Sequence, residues 1–328
     1  MRLLVTGGAG FIGSRFVKRM LGAGEDVVVL DKFTYAGNPA NLSPDVECYR
    51  GDIAEREDVE QVGSVDAIVN FAAETHVDRS ILGPEEFVRT DVLGTIVLLQ
   101  AASEMSARLV QVSTDEVYGD VEPGWSSRED DPLRPSSPYS ASKAGGDLQV
   151  LAAVRTFGVN ALVTRGSNTY GPNQYPEKLL PLFVTNALDG EPLPLYGDGR
   201  QVRDWLHVDD HCAALELLLR QGEAGEIYNI AAGEEHENIE LTRLVVEHLD
   251  VDSSLVRTVE DRAGHDRRYS LDTSKLRSLG WDPRRDWEEG IRATIDWYRD
   301  NRDWWEPIKR SDDFRAYYDK QYAARLRS

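Results

Sequence analysis

The sequence predicts an α/β fold, a doubly wound parallel sheet with a smaller C-terminal domain interleaved into it. Three observations carry this. The first half alternates short β-branched runs with longer amphipathic segments; a glycine triplet follows directly on the first run; and the rhythm breaks after Gly171, then returns once before the C-terminal stretch.

The alternation begins with "RLLVTG" as a strand and Phe11 to Gly22 as a helix. "DVVVLD", "VECYRGD" and "AIVNFAA" read as strands, Thr90 to Glu104 as a helix, "RLVQVST" as a strand, Tyr139 to Phe157 as a helix and "ALVTRG" as a strand. Strand, crossover helix and parallel strand is the repeating unit of such a sheet. Past Gly171 the segments "GPNQYPEKLLP" and "GEPLPLYGDG" are rich in Pro and Gly, and the rhythm resumes in "QVRDWLHVDDHCAALELLLR" and "GEIYNIA". Residues 1–169 with about 206–233 are therefore assigned to the sheet domain, and about 170–205 with 234–328 to the second domain. The charged, aromatic tail Asp300 to Ser328 is expected to be helix lying on the surface.

The 328 residues are 41% apolar and 29% charged, an ordinary globular balance. A net charge of −20 argues against a nucleic-acid or anionic-membrane partner, because the long-range field repels both. An anionic small molecule needs local clusters of Arg and Lys and helix N-termini. The strand-like start at Met1 without an apolar leader, and the lack of a run long enough to span a membrane, point to a cytoplasmic protein. Two cysteines make no disulfide framework, and Cys212, in an apolar helical run, is expected to be a buried thiol.

"VTGGAGFIG" sets Gly7, Gly10 and Gly13 after a strand and at the start of a helix, where the backbone can approach a pyrophosphate. Asp31 closes "DVVVLD" eighteen residues beyond Gly13, placed to bond a ribose diol and repel a 2′-phosphate. The pattern is that of a Rossmann domain binding NAD rather than NADP. Asp52 and Ile53 end the third strand beside the adenine, and Phe71 to Glu74 run along the cofactor. "YSASK" puts Tyr139 and Lys143 on one helix face, where the ammonium can lower the pKa of the phenol. With Thr114 at the end of a strand as hydroxyl donor, these form a hydride-transfer constellation.

At this point the chain resembles the extended short-chain dehydrogenase/reductases, and within them the dTDP-glucose 4,6-dehydratase family. The motifs are "VTGGAGFIGS", "YAGNPANL", "FAAETHVDRSI", "STDEVYG", "PYSASKA", "NTYGPNQYPEKLLP", "GDGRQVRDWLHVDDH" and "RAGHDRRYSLD". The resemblance implies Thr114, Asp115, Glu116, Tyr139 and Lys143 as the catalytic set. It implies Phe11, Ile12, Lys32, Thr34, Ala72, Ala73 and Glu74 at the cofactor beside the residues above. Around a dTDP-glucose substrate it implies His76, Ser80, Thr114, Asn168, Lys178, Leu179, Pro194, Tyr196, Arg203, Asn238, Arg262, His265 and Tyr269, with Lys178, Arg203 and Arg262 meeting the diphosphate. A homodimer through the helices Thr90 to Glu104 and Tyr139 to Phe157 is implied as well.

Under that resemblance, Asp115 and Glu116 have a purpose: Glu116 removes the C5 proton while a protonated Asp115 protonates the departing 6-hydroxyl. Like charges at close range drive their pKa values apart. Readings still open are a UDP- or GDP-linked sugar dehydratase, a 4-epimerase, a nucleotide-glucuronate decarboxylase, or a redox-sensing protein with an inactive site. Epimerase and decarboxylase have no use for two adjacent acids. The chain departs from the family at Asp91, where Asn is usual, at Gly166 and Thr169, where Cys and Asn are common, and at Gly145 and Gly146, which follow the Lys. "HVDDH" spaces His207 and His211 as zinc proteases do, but Val208 stands where their Glu belongs, so helix-surface histidines and no metal are expected.

Overall fold

Each apolar run read in the first half forms a strand, and the amphipathic segments between them form crossovers. The computed structural model describes residues 1–261, 264–323 and 325–326. The strands are β1 (Arg2–Thr6), β2 (Asp26–Asp31), β3 (Glu47–Arg50), β4 (Ala67–Asn70), β5 (Arg108–Thr114), β6 (Ala161–Gly166), β7 (Asn168–Tyr170), β8 (Leu193–Tyr196), β9 (Val202–His207), β10 (Ile227–Ile230), β11 (Glu235–Glu237) and β12 (Val256–Val259). Seven of them make one sheet in the order β10-β6-β5-β4-β1-β2-β3, every pairing parallel. Connections run one way from β1 and the other way from β4, so a crevice opens between their carboxyl ends, where ligands of such sheets bind.

Both faces of the sheet are covered, which is why its strands are apolar runs rather than alternations. On one face Phe16, Val17 and Met20 of the helix Phe11–Gly22 meet Cys212, Leu215 and Leu219 of the helix Val208–Gln221. Leu98 and Ala102 of Thr95–Met105, with Val150 and Ala153 of Pro138–Phe157, cover the other. Full burial of one such large side chain stabilises by about 1.5–3 kcal/mol. Cys212 is buried as expected.

The helix expected over Thr90 to Glu104 has two parts, a π-helical turn Arg89–Gly94 and an α-helix Thr95–Met105. That turn explains the paired glycines of the Tyr139 helix, each costing about 1 kcal/mol against alanine. A Cβ on Gly146 would lie 2.6 Å from the Asp91 carbonyl oxygen, and one on Gly145 2.8 Å from Val92 Cγ2.

The second half adds a three-stranded sheet, β11-β9-β7, and the pair β12-β8. Helices Leu179–Asp189, Asn238–Leu249 and Trp287–Asp300 enclose a third core with Phe183, Leu241, Ile295 and Tyr298. The tail corrects the expectation of helix merely laid on the surface: Trp305, Phe314, Tyr317 and Tyr322 are buried, and all but Tyr317 belong to that core. No helix among the described residues is long and apolar enough to cross a membrane.

Candidate active site

The crevice holds a cavity of about 310 Å³ beneath the glycine loop. Gly7 has φ +66°, and a Cβ there would lie 2.6 Å from the Ala72 nitrogen; a Cβ on Gly13 would run into the Gly7 carbonyl. Gly10 lines the cavity, and a Cβ there would meet only the Gly7 oxygen at 3.2 Å. Main chain therefore stands bare at the N-terminus of a 12-residue helix, a cradle for an anionic pyrophosphate. Gly7, Gly10, Phe11, Ile12, Gly13, Asp31, Lys32, Thr34, Asp52, Ile53, Ala72, Ala73, Glu74, Tyr139 and Lys143 all line this cavity. Asp31 is fixed by N–H donors from Ala9 at 2.9 Å and Phe33 at 2.7 Å. Burial pushes its carboxyl above the ordinary value, and those two donors oppose the shift. Lys32 pairs with Asp52 at 2.9 Å, so its charge is answered within the protein.

A second cavity adjoins the first, and Glu116, Tyr139, Asn168 and Lys178 line both. His76, Leu179, Pro194, Tyr196, Arg203, Asn238 and His265 line the second, while Thr114 faces the first. Asn238 Oδ1 is buried and accepts no hydrogen bond among the described residues. Arg203 is held by the carbonyls of Val202 at 2.7 Å and Asp266 at 2.9 Å. Lys178 donates to Thr75 Oγ1 at 3.0 Å. Ser80 and Tyr269 line neither cavity: Ser80 donates back to Val77 at 2.7 Å, and Tyr269 lies 4.3 Å under the Arg203 guanidinium. Arg262 lies outside the described residues.

Sequence reasoning passed over Glu177 and Tyr322, both on the second cavity, and Thr75 on the first. The buried Glu177 carboxylate accepts from Arg79 and from the Tyr35 hydroxyl, each at 2.9 Å. Arg79 in turn sits over the rings of Tyr35 at 3.6 Å and Tyr317 at 4.3 Å. One ion pair thus ties the loop after β2, the segment before Leu179 and the C-terminal helices together. Its sequence signal was present as charges inside "VDRS" and "PEK".

Thr114 ends β5, and its Oγ1 accepts from the Glu116 N–H at 3.3 Å, capping the 3₁₀ turn Asp115–Tyr118. Thr114 also donates to Asp115 Oδ1 at 3.2 Å, while Oδ2 is buried with no hydrogen-bond partner among the described residues. The Asp115 carboxyl is pushed up to about 8, by burial first and by the neighbouring Glu116 second. The expected raising of Asp115 is there, with desolvation rather than the like charge of Glu116 as its larger cause.

Ser137 and Ser140 cap the Tyr139 helix reciprocally. Although part of the Tyr139 ring faces the cavity, desolvation chiefly pushes its phenol well above the ordinary value; Glu116 and Asp91 add to this, and a hydrogen bond with Thr114 opposes it. The expected lowering by Lys143 is therefore corrected. Its ammonium donates to the Val112 carbonyl at 2.9 Å and lies 4.0 Å from Asp91.

The two histidines are not on a helix surface either. His207 is 7% exposed and its Nδ1 accepts from the Asp209 N–H at 3.2 Å; His211 is 2% exposed and walls the first cavity. Thr169 donates to the Ser167 carbonyl at 3.1 Å, so its oxygen accepts from His211 Nδ1 at 2.8 Å. Burial pushes that imidazole down to about 4, leaving it neutral. A Cβ on Gly166 would sit 2.6 Å from His211 Cε1, so Gly166 and Thr169 are one accommodation: the first makes room for the ring that the second orients. Among the described residues no three His, Cys, Asp or Glu side chains converge as metal ligands.

Residues 4–294 match the family model described as GDP-mannose 4,6 dehydratase. A dTDP-glucose 4,6-dehydratase of Streptomyces antibioticus is 55% identical over 94% of this chain and 96% of its own length. The solved structure of DesIV, a dTDP-glucose 4,6-dehydratase of Streptomyces venezuelae with NAD and TDP bound, has a TM-score of 0.91 at 53% identity, covering 94% of this chain and 100% of that one. A UDP-glucose 4-epimerase of Thermus thermophilus, in complex with NAD, has a TM-score of 0.87 at 34% identity over 92% of this chain and 100% of its own. With a family model spanning most of its length and relatives at half identity end to end, the chain belongs to the dTDP-glucose 4,6-dehydratase family of the extended short-chain dehydrogenase/reductases.

Proposed function

We propose that the chain is an NAD-dependent dTDP-glucose 4,6-dehydratase that converts its substrate to dTDP-4-keto-6-deoxy-glucose. The observation that carries this is the junction of the two cavities, where Glu116 and Tyr139 line both and Asp115, its carboxyl raised to about 8, lies beside them. An epimerase or a decarboxylase needs no protonated carboxyl next to a second acid.

The first cavity suits NAD: the bare glycine cradle fits a pyrophosphate, and Asp31 stands where a free ribose diol would meet it. When bound, NAD⁺ supplies a hydride acceptor at C4 of the sugar and, once reduced, a hydride donor at C6. The protein's own work is to move protons. Tyr139 takes the 4-hydroxyl proton, Thr114 donates to the same oxygen, and Lys143, one helical turn on, holds its ammonium on the Val112 carbonyl at the cofactor cavity. Oxidation at C4 makes the C5 proton acidic, so Glu116 removes it while Asp115 protonates the leaving 6-hydroxyl, and a proton exchanged with solvent returns from Glu116 to C5 as C6 receives the hydride. Lys178 and Arg203 counter the substrate's diphosphate within an otherwise strongly acidic protein; Asn168, Leu179, Pro194, Tyr196, Asn238 and His265 surround the rest of the nucleotide sugar, with His76 on the same wall. Tyr269 acts behind Arg203, as the face on which the guanidinium rests.

Residues 1–169 with about 206–233 form the NAD-binding domain, and about 170–205 with 234–328 the nucleotide-sugar domain. Membership of β10 in the large sheet and of β11 in the smaller one supports that division, while β7 and β9 of the smaller sheet span its boundaries. A homodimer is supported by Val88, Leu93 and Leu148, exposed apolar residues on the packed segments 84–105 and 138–157. The chain works in the cytoplasm. Turnover assays with dTDP-glucose, UDP-glucose and GDP-glucose test the reading: the 4-keto-6-deoxy product should form fastest from dTDP-glucose, and preference for another nucleotide would reassign the substrate.

A further inference from the structure

Asp91 is 1% exposed, on the π-helical turn Arg89–Gly94. Ser142, one residue before Lys143, donates to its Oδ2 at 2.6 Å. Its Oδ1 has no hydrogen-bond partner among the described residues and lies 4.0 Å from the Lys143 ammonium. The backbone is docked as closely: Thr95 donates to the Asp91 carbonyl at 2.6 Å, and only a residue without a Cβ at 146 lets the Tyr139 helix come down on that same oxygen. A buried carboxylate is costly unless it is paired. Here its field reaches Lys143 and Tyr139 together.

We propose that Asp91 is a positioning residue for the reaction: its carboxylate fixes the Lys143 ammonium and holds a negative charge behind the Tyr139–Lys143 pair. This rests on the dehydratase reading, in which Tyr139 must lose its proton before it can take one from the sugar. The charge of Asp91 opposes that loss. The charged and titratable groups facing Asp91 are Lys143, Tyr139 and Asp147 from the Tyr139 helix and Glu74 from the loop after β4. Asp147 is itself paired with Arg165 at 2.9 Å, which leaves Lys143 as the counter-charge of Asp91. Burial, opposed by Lys143 and Ser142, brings the Asp91 carboxyl to about 6, so the charge is in place at neutral pH and is lost as the solution becomes acidic.

The test is the pH profile of kcat for dTDP-glucose with Asp91→Asn, which keeps shape and the Ser142 hydrogen bond but removes the charge. The acid limb should move to lower pH by roughly half a unit or more. The plateau should fall roughly fivefold as Lys143 loses its fixed place, with KM changed by less than about twofold. A limb that overlays that of the wild type overturns the proposal, whatever the plateau does. If Asp91→Asn does not fold, Ser142→Ala decides: without its donor the carboxylate takes up its proton at higher pH, and the limb should move the same way by less. A Ser142→Ala limb on the wild-type curve overturns the proposal equally. Wild-type protein that does not dehydrate dTDP-glucose would instead overturn the dehydratase reading, so the two failures are distinguishable.

Discussion

Glu116→Gln should abolish dehydration while leaving slow oxidation at C4, with turnover to the 4-keto-6-deoxy product lowered by roughly 10²–10⁴-fold. The amide fills the same space, and the cap that Thr114 provides is made to the main-chain N–H of residue 116, so the turn is kept. What is lost is the base for the C5 proton. Asp115→Asn should slow water loss comparably, because an amide is too weak an acid to protonate a leaving hydroxyl. The pH dependence has a definite sign. Asp115 must be protonated to act, so the elimination should fall as the pH rises through about 8, and that limb should vanish in Asp115→Asn. Stability follows the same proton. The folded state holds it up to about 8 while the unfolded chain releases it near the ordinary value of 3.8, so this group's contribution to stability falls as the pH rises across that window. Asp115→Asn should therefore be more stable than the wild type at neutral pH, by about 1–3 kcal/mol in denaturant unfolding, and no more stable at pH 3. Unchanged dehydration in both variants would make the two acids ordinary turn residues.

Tyr139→Phe should lower the first step, and with it the whole cycle, by roughly 10²–10⁴-fold. The ring would keep its edge-on contact with Phe87, whose centroid is 6.3 Å away, so the fold should survive. The hydroxyl that exchanges a proton with the sugar is gone. Because the phenol is pushed well above its ordinary value, the first step in the wild type should still be gaining rate with pH above neutrality, and the residual rate of Tyr139→Phe should lack that dependence. The two lesions separate by isotope: Glu116→Gln still exchanges hydride at C4, whereas Tyr139→Phe releases neither that hydride nor the C5 proton. Single-turnover absorbance at the reduced-nicotinamide band checks this, with a transient expected for Glu116→Gln alone.

The periodic parts of the chain were the legible ones. Strand runs such as "DVVVLD" are apolar because both faces are covered, and a glycine spacing after a strand reads directly as a backbone cradle. What escaped depends on partners distant in sequence. Gly145 and Gly146 announced a cost but not its cause, since Asp91 and Val92 approach them from a π-turn that no periodicity marks. His211 sits in the cavity wall because Gly166 leaves room for it, a relation across 45 positions. The charged, aromatic tail read as helix on the surface because its aromatic residues are dispersed among charges, yet Trp305 and Phe314 enter the third core. Tyr269 shows the limit of motif reasoning at the site: it was expected against the substrate, but it lines neither cavity and instead supports the Arg203 guanidinium from behind.

The central claim, that a carboxylate pair carries out an elimination between two hydride transfers, is tested most directly by following the label. Substrate deuterated at C4 should yield product carrying that deuterium in the C6 methyl group, and turnover in heavy water should place solvent deuterium at C5. Deuterium that returns to C4, or a product without a C6 methyl, would contradict the account.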